Sequence, residues 1–406
     1  MTATRKGLSW RAATITGLAV ALWLFAAWYL WRSSVPGDLS LPNLDPSNYF
    51  TAEELSKTAR YERFIRIDIV LSTLAAIGVL WAFSRRAPQF ARNTGLGPLG
   101  AGMIVGMIVL ILLWAIDLPF SIALRWWADR HDLTRGSWVE WLTDPWAELG
   151  AGVGFVMLQI AIIMGFARRF PRYWWLPVTP IFLALAFAFS IALPYVDAGR
   201  VHAPRRTDVR QAFTTLASKE GTDVPLDEEK VSDLTTQANA MVEGIGPTMR
   251  VVVWDTLLDG RFSLPEIRFV LAHELGHVKH EHIYKGLGWT VLFAFPITFL
   301  LAWLTRRRGG MGDPGVLPYG FLVLTILGIL VTPIANVISR RVEAEADWQA
   351  LQTTKDPAAG RGLFKEFTRT SLQQPEPPTW AYLYFDTHPT AIQRIAMIEA
   401  WKERRR

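Results

Sequence analysis

The sequence predicts a mainly α-helical, polytopic membrane protein with seven transmembrane helices and a folded unit with a small β-sheet at one membrane surface. Two observations predict it: apolar runs of span length recur along the chain, and short basic connections alternate with long charge-mixed ones. The runs cover about 12–31, 64–83, 97–118, 149–166, 175–196, 286–304 and 317–338. Most approach the ~20 apolar residues that a bilayer helix needs. Trp and Tyr gather at run ends, as in Trp28-Tyr29, Trp126-Trp127 and Tyr173-Trp174-Trp175, where amphipathic rings favour the membrane–water boundary. One or two such runs could be buried soluble helices; seven make a membrane protein. The first follows Arg5, Lys6 and Arg11. It is longer than a signal-peptide core and ends in Trp-Tyr-Leu-Trp-Arg, a poor cleavage site, so it reads as a retained span.

The net charge of +6 is concentrated in short loops, which argues against a nucleic-acid partner. The basic segments are Arg5-Lys6 with Arg11, Arg85-Arg86 with Arg92, Arg168-Arg169 with Arg172, and Arg306-Arg307-Arg308. Alternating the seven spans puts all four on one side, the cytoplasm by the positive-inside rule. The long stretches then lie outside. The chain so divides into a five-helix transmembrane domain at 1–196, the first part of a surface unit at 197–285, a membrane hairpin at 286–338, and the second part at 339–406. Two spans separate 197–285 from 339–406, an even number, so the two parts emerge on one face and can meet. Abundant Ala, Arg, Gly and Pro point to a GC-rich bacterium and hence to its plasma membrane. With no cysteine in the chain, disulfides, iron–sulfur clusters and thiolate zinc sites are excluded.

Within 197–285, residues 208–219 read as a helix and the β-branched Val251-Val252-Val253 as a strand. Its edge is expected to pair with an extended peptide, which makes Val252 a substrate-binding candidate. Ser263-Leu264-Pro265-Glu266 reads as a capping box that starts a further helix, with proline tolerated in its first turn. That helix carries His273-Glu274-Leu275-Gly276-His277 and is expected to run on toward the sixth span.

Residues four apart share one helical face, so the imidazoles of His273 and His277 can reach a single metal ion. Glu274, one step round, is placed to act as a base without being a ligand. Two solvated surface histidines are the bland alternative. Catalytic zinc takes three protein ligands. His280 cannot be the third, since at 1.5 Å per residue it lies about 10 Å along the axis from His273. His280 and His282 therefore read as supporting or interfacial residues. A better source is Ser339-Arg340-Arg341-Val342-Glu343-Ala344-Glu345-Ala346-Asp347, expected as a helical continuation of the last span. There Glu343 and Asp347 share a face and Glu345 points away.

His-Glu-Leu-Gly-His followed, two spans later, by Ser-Arg-Arg-x-Glu-x-x-Ala-Asp resembles the integral-membrane zinc endopeptidases typified by the type I CAAX prenyl protease, with HtpX as a smaller relative. Val251–Trp254 with Asp255, and Thr387-His388-Pro389 with Arg394, resemble the family's strand-and-turn and His-Pro elements. The likeness implies a gluzincin-type zinc-protease domain that holds one zinc ion per chain through His273, His277 and Glu343. It implies Glu274 as general base, Asp347 as a carboxylate supporting the ligands, and His388 as the residue that stabilises the oxyanion. Arg394, a further substrate-binding candidate, would order that region by ion pairing or form a plain structural salt bridge, and Asn239, in Asn239-Ala240-Met241, would stand near the substrate strand as a third. Peptides or membrane-protein segments beside the lipid bilayer are the expected substrates. Such proteases enclose a water-filled chamber, which Asp117 in the third span could line, although snorkelling to water is the plainer account. A sensor-transducer metalloprotease and a transporter with a vestigial site are the competing classes.

Overall fold

A computed structural model describes residues 10–143, 146–196 and 199–405; Arg5, Lys6 and Asp197, all used in the sequence reading, lie outside them. The N-terminal helices are α1 (Trp10–Leu30), α2 (Ala52–Asn93), α3 (Pro98–Asp129), the short α4 (Trp138–Thr143), α5 (Trp146–Arg169) and α6 (Trp175–Val196). Among the described residues, six helices are long and apolar enough to cross a membrane: α2, α3, α5, α6, α9 (His282–Thr305) and α10 (Leu317–Thr354). They coincide with the second to seventh apolar runs. The first run supplies a shorter apolar stretch, Thr14–Leu30. Proline lies inside several spans, at Pro88, Pro119, Pro296 and Pro333; neighbouring helices in a bundle re-satisfy the backbone groups it frees.

α2 and α10 exceed the bilayer most. α2 has 42 residues and α10 has 38, about 63 and 57 Å at 1.5 Å per residue, against a hydrocarbon core of about 30 Å. α2 starts in a capping box in which the Thr51 N–H donates to Glu54 Oε2 (2.7 Å) and the Glu54 N–H to Thr51 Oγ1 (3.2 Å). The last turns of α10 enter the surface unit, so the helix that spans the membrane continues unbroken through Glu343 and Asp347, as its sequence suggests.

The surface unit contains β1 (Val201–His202), α7 (Thr207–Glu220), β2 (Leu226–Glu229), β3 (Ala240–Glu243), β4 (Arg250–Trp254), α8 (Leu264–Lys279), α11 (Pro357–Ser371), α12 (Thr379–Phe385) and α13 (Ala391–Glu403). Gly221, at φ 68°, closes α7 in the left-handed conformation that glycine adopts without strain. Its apolar core joins Val251 and Val253 of β4, Leu271 and Leu275 of α8, Leu351 of α10 and Ile395 and Ile398 of α13. A separate apolar cluster fills the membrane bundle.

The sheet order is β1-β2-β4-β3, with β2 parallel and β3 antiparallel to β4. This corrects the expectation for Val252. A run of three valines suits a strand buried on both faces, and β4 lies in the middle of the sheet, hydrogen-bonded on both sides. Val252 is 2% exposed and pairs with Asp227 and Met241. The edge strands are β1 and β3.

The second correction concerns the end of α8. It begins as its sequence indicates, with Ser263 as N-cap and its N–H donating to Glu266 Oε2 (2.7 Å). It stops at Lys279, however, because Glu281 adopts φ 55° before α9 starts at His282. Two helices with a left-handed residue between them replace one continuous rod.

α8 and α10 meet at Gly276, where an added Cβ would stand 3.2 Å from the Gln349 Cβ and 3.3 Å from the Ala346 Cα. A branched side chain there must push the helices apart. Gly276→Val is expected to destabilise the protein by about 1–3 kcal/mol, the usual overpacking cost. An unchanged melting temperature of the detergent-purified protein would contradict this close approach.

Candidate active site

α8 turns His273 and His277 to one side, and their Nε2 atoms lie 3.0 Å apart. From α10, Glu343 brings Oε2 to 3.2 Å from His273 Nε2 and Oε1 to 3.7 Å from His277 Nε2. One ligand atom from each of the three residues can be chosen so that all lie within 4.8 Å of one another. His388, in the loop after α12, places Nε2 3.2 Å from Glu343 Oε2; its Nδ1 is 3.0 Å from the Thr387 hydroxyl. Asp347, one turn beyond Glu343, receives His273 Nδ1 at 2.9 Å. The same carboxylate is gripped by Arg394 of α13 through Nε (2.8 Å) and Nη2 (2.6 Å). That guanidinium also lies over the Phe364 ring, 4.1 Å from its centre.

His273, His277, Glu343 and His388 line a cleft of about 370 Å³, with Asp347 and Arg394 behind them. Its opposite wall is Asn239 and the first residues of β3, Ala240, Met241 and Val242. The Asn239 carbonyl accepts from the Trp254 N–H at 3.0 Å, which anchors the start of that strand. Glu274, 6% exposed, opens onto the same cleft. Of the residues singled out in the sequence, Val252 alone among the site candidates stands apart. Asp117 accepts a hydrogen bond from Ser121 one turn further along α3 (2.7 Å).

Burial governs the electrostatics. It raises Glu274 to about 7, with the positive His273 opposing. It pulls His277 down to about 3 despite Glu343. His273 also loses hydration, but the carboxylates of Asp347 and Glu343 beside it outweigh that and carry it up to about 10. Glu343 and Asp347 are held below the ordinary carboxylate range in spite of burial, the first by the surrounding histidines, the second by Arg394 and His273. The pocket is built to keep a positive charge between His273, His277 and Glu343, where a proton and a metal ion compete for the same lone pairs.

The donor set fits a metal. Both Nδ1 atoms are engaged elsewhere, His273 with Asp347 and His277 with His282 (2.9 Å), so the two Nε2 lone pairs are free to converge. Two nitrogens at about 2.05 Å from a tetrahedral ion stand about 3.3 Å apart, close to the observed spacings. Glu343 Oε2 is buried without a well-formed hydrogen bond, as expected of an oxygen reserved for a cation. Sequence reasoning missed one neighbour: Glu345 does turn away from this face of α10, yet it is 3% exposed and bonded to His282 (3.0 Å) instead of solvated.

Arg394→Met would take from the buried Asp347 carboxylate its bidentate guanidinium partner and leave His273 as its remaining charged neighbour, a loss of about 3–5 kcal/mol. Asp347 has a folded value below its ordinary 3.8. The stabilisation is therefore complete above that pH and lost as the pH falls through the folded value. Thermal melts of the parent and variant should draw together as the pH is taken from 7 to below 3.8; parallel curves would contradict the pairing.

Residues 204–402 match the model of peptidase family M48. The chain is 24% identical to the uncharacterized metalloprotease YhfN of Bacillus subtilis, with 96% of each chain covered. It is 26% identical to CAAX prenyl protease 1 of Saccharomyces cerevisiae over 49% of each chain. Its fold superposes on the crystal structure of S. mikatae Ste24p with a TM-score of 0.71 at 18% identity, covering 95% of this chain and 97% of the other. Residues 204–402, which carry the His-His-Glu group, are thus a metalloprotease unit of peptidase family M48, in a chain with six helices long and apolar enough to cross a membrane among its described residues.

Proposed function

We propose that this metalloprotease is a zinc endopeptidase of the gluzincin type that hydrolyses peptides or membrane-protein segments beside the bilayer. His273, His277 and Glu343 hold one zinc ion per chain. The observation that carries the reading is the convergence of these three donors with the buried Glu274 in a cleft whose far wall is the edge strand β3.

When bound, zinc supplies Lewis-acid chemistry that makes water a competent nucleophile near neutral pH. Glu274, raised to about 7, takes a proton from the attacking water and returns it to the departing amine, a contribution of about 10²–10⁴ in rate. His388 stands at the cleft mouth with Nε2 turned inward and donates to the oxyanion. Asp347 accepts the His273 Nδ1–H and so turns the Nε2 lone pair into the site; Arg394 holds Asp347 in place. Its guanidinium is committed to that ion pair, which favours an ordering role over direct substrate contact. The unpaired edge of β3, beginning beside Asn239, offers main-chain groups to an extended substrate.

In this reading α1 is a seventh span. Residues 1–196 form the five-helix transmembrane domain, 197–285 and 339–406 the two parts of the protease unit, and 286–338 the hairpin between them. The basic loops place the N-terminus in the cytoplasm and the cleft outside a bacterial plasma membrane.

Glu274→Gln is expected to retain one zinc per chain while peptide hydrolysis falls at least about 100-fold; His273→Ala should lose the metal. Near-normal turnover by Glu274→Gln would remove Glu274 from the mechanism. Because the base works ionised and its carboxyl is raised, kcat/KM should fall as the pH drops below about 7. Alkaline phosphatase fused after Arg406 should be active. A fluorescent green fluorescent protein fusion at that point, with silent phosphatase, would reverse the orientation.

A further inference from the structure

His277 is supported differently from His273. Its Nδ1 faces His282 Nδ1 at 2.9 Å, and His282 Nε2 faces Glu345 Oε2 at 3.0 Å. His282 and Glu345 are 5% and 3% exposed. The same carboxylate receives Lys285 Nζ on Oε2 (3.1 Å) and the backbone N–H of Ser34 on Oε1. His280 stacks on His282 with ring centres 5.8 Å apart and brings Nδ1 to 3.6 Å from Glu345 Oε1. The left-handed turn at Glu281 is what folds His282 back onto α8.

We infer that His282 and Glu345 are positioning residues that fix the tautomer of His277 through a two-step hydrogen-bond relay. The inference rests on the reading of His277 as a metal ligand. Two neutral imidazoles can share only one proton between facing nitrogens, so one Nδ1 donates and the other accepts. An ionised carboxylate can only accept. Glu345 therefore requires the proton of His282 on Nε2. That leaves His282 Nδ1 as an acceptor and makes His277 Nδ1 the donor. His277 Nε2 is then a bare lone pair turned toward His273 and Glu343. Starting from Glu345, a single arrangement of protons satisfies both contacts of the relay.

The relay gives His277 what Asp347 gives His273 directly, a carboxylate behind the ring. It also reaches further. Ser34 lies in the segment that leaves α1, and Arg341 on α10 donates to the Trp31 carbonyl in that segment (2.7 Å). The orientation of a ligand on α8 is thereby tied to the segment after α1, to α9 through His282 and Lys285, and to α10.

The test is the zinc affinity of the full chain in detergent, measured by competition with a chromophoric chelator. Loss of such supporting contacts costs about 10–100-fold in metal affinity, so Glu345→Ala should bind zinc that much more weakly. Glu345→Gln, whose amide oxygen still accepts from His282, should recover most of it. His282→Phe keeps the ring volume, removes both nitrogens and should match Glu345→Ala; it carries the test if the alanine variant does not fold. Parental affinity in Glu345→Ala or His282→Phe overturns the relay, as does a glutamine variant as weak as the alanine. His277→Ala separates the two readings: if it abolishes zinc binding while the relay variants do not, the relay fails and the metal site stands. Absence of zinc binding by the parent chain overturns both.

Discussion

The close packing of α8 against α10 at Gly276 is the constraint on which the rest of the site depends. The two helices are separated in sequence by a membrane hairpin, and neither carries a complete ligand set. With only a hydrogen atom at position 276, the backbones approach until the Ala346 Cα lies in contact range of where a side chain would begin. At that separation Glu343 and Asp347, one turn apart, fall opposite His273 and His277. Gln349 clamps the contact, donating to Glu220 of α7 (2.7 and 2.9 Å), which also pairs with Lys279 at the end of α8 (2.7 Å). Helix separation, not side-chain choice alone, sets the distances between donors.

That packing has an electrostatic consequence. It buries Glu274, Glu343, Asp347 and Arg394 in one region and Glu345 with His282 in the next. Buried charges are costly unless paired and hydrogen-bonded, and here all but Glu274 are given a specific neighbour among the described residues. Arg394 answers Asp347, Lys285 answers Glu345, and the histidines answer Glu343. Glu274 has no dedicated partner, and it is the carboxyl that burial pushes up toward neutrality. The same interior therefore keeps the supporting carboxylates ionised and leaves one acid near the proton-transfer range.

Much of this is legible in the sequence because it follows from local patterns. Six spans follow from uninterrupted apolar runs, and the meeting of His273 with Glu343 follows from helical spacing and from an even number of spans between them. The capping box at Ser263 marks the start of α8 correctly. What is not legible depends on tertiary pairing. Three consecutive valines announce a strand but not which of its edges is covered; β4 turned out to be central, and the edge role passed to Ala240–Glu243, whose composition barely suggests a strand. Glu281 has no signature of a left-handed turn, so the break between α8 and α9 is invisible in advance. With it goes the return of His282 to His277, and hence the function of Glu345 on what reads as the wrong face of α10.

The continuity of α10 fixes the height of the chemistry. The last apolar run ends near Ile338, and Glu343 follows five residues later on the same unbroken helix, a rise of about 7.5 Å. On the other side, α9 begins at His282, five residues after His277. Both halves of the donor set are thus mounted a turn or two beyond the ends of membrane-embedded helices, with β3 across the cleft. Under the proposed function, the scissile peptide bond would have to be presented close to the membrane boundary. Selection by distance from the bilayer would then precede selection by any side-chain pocket, and tilting or sliding of the α9–α10 hairpin would move His277 and Glu343 together.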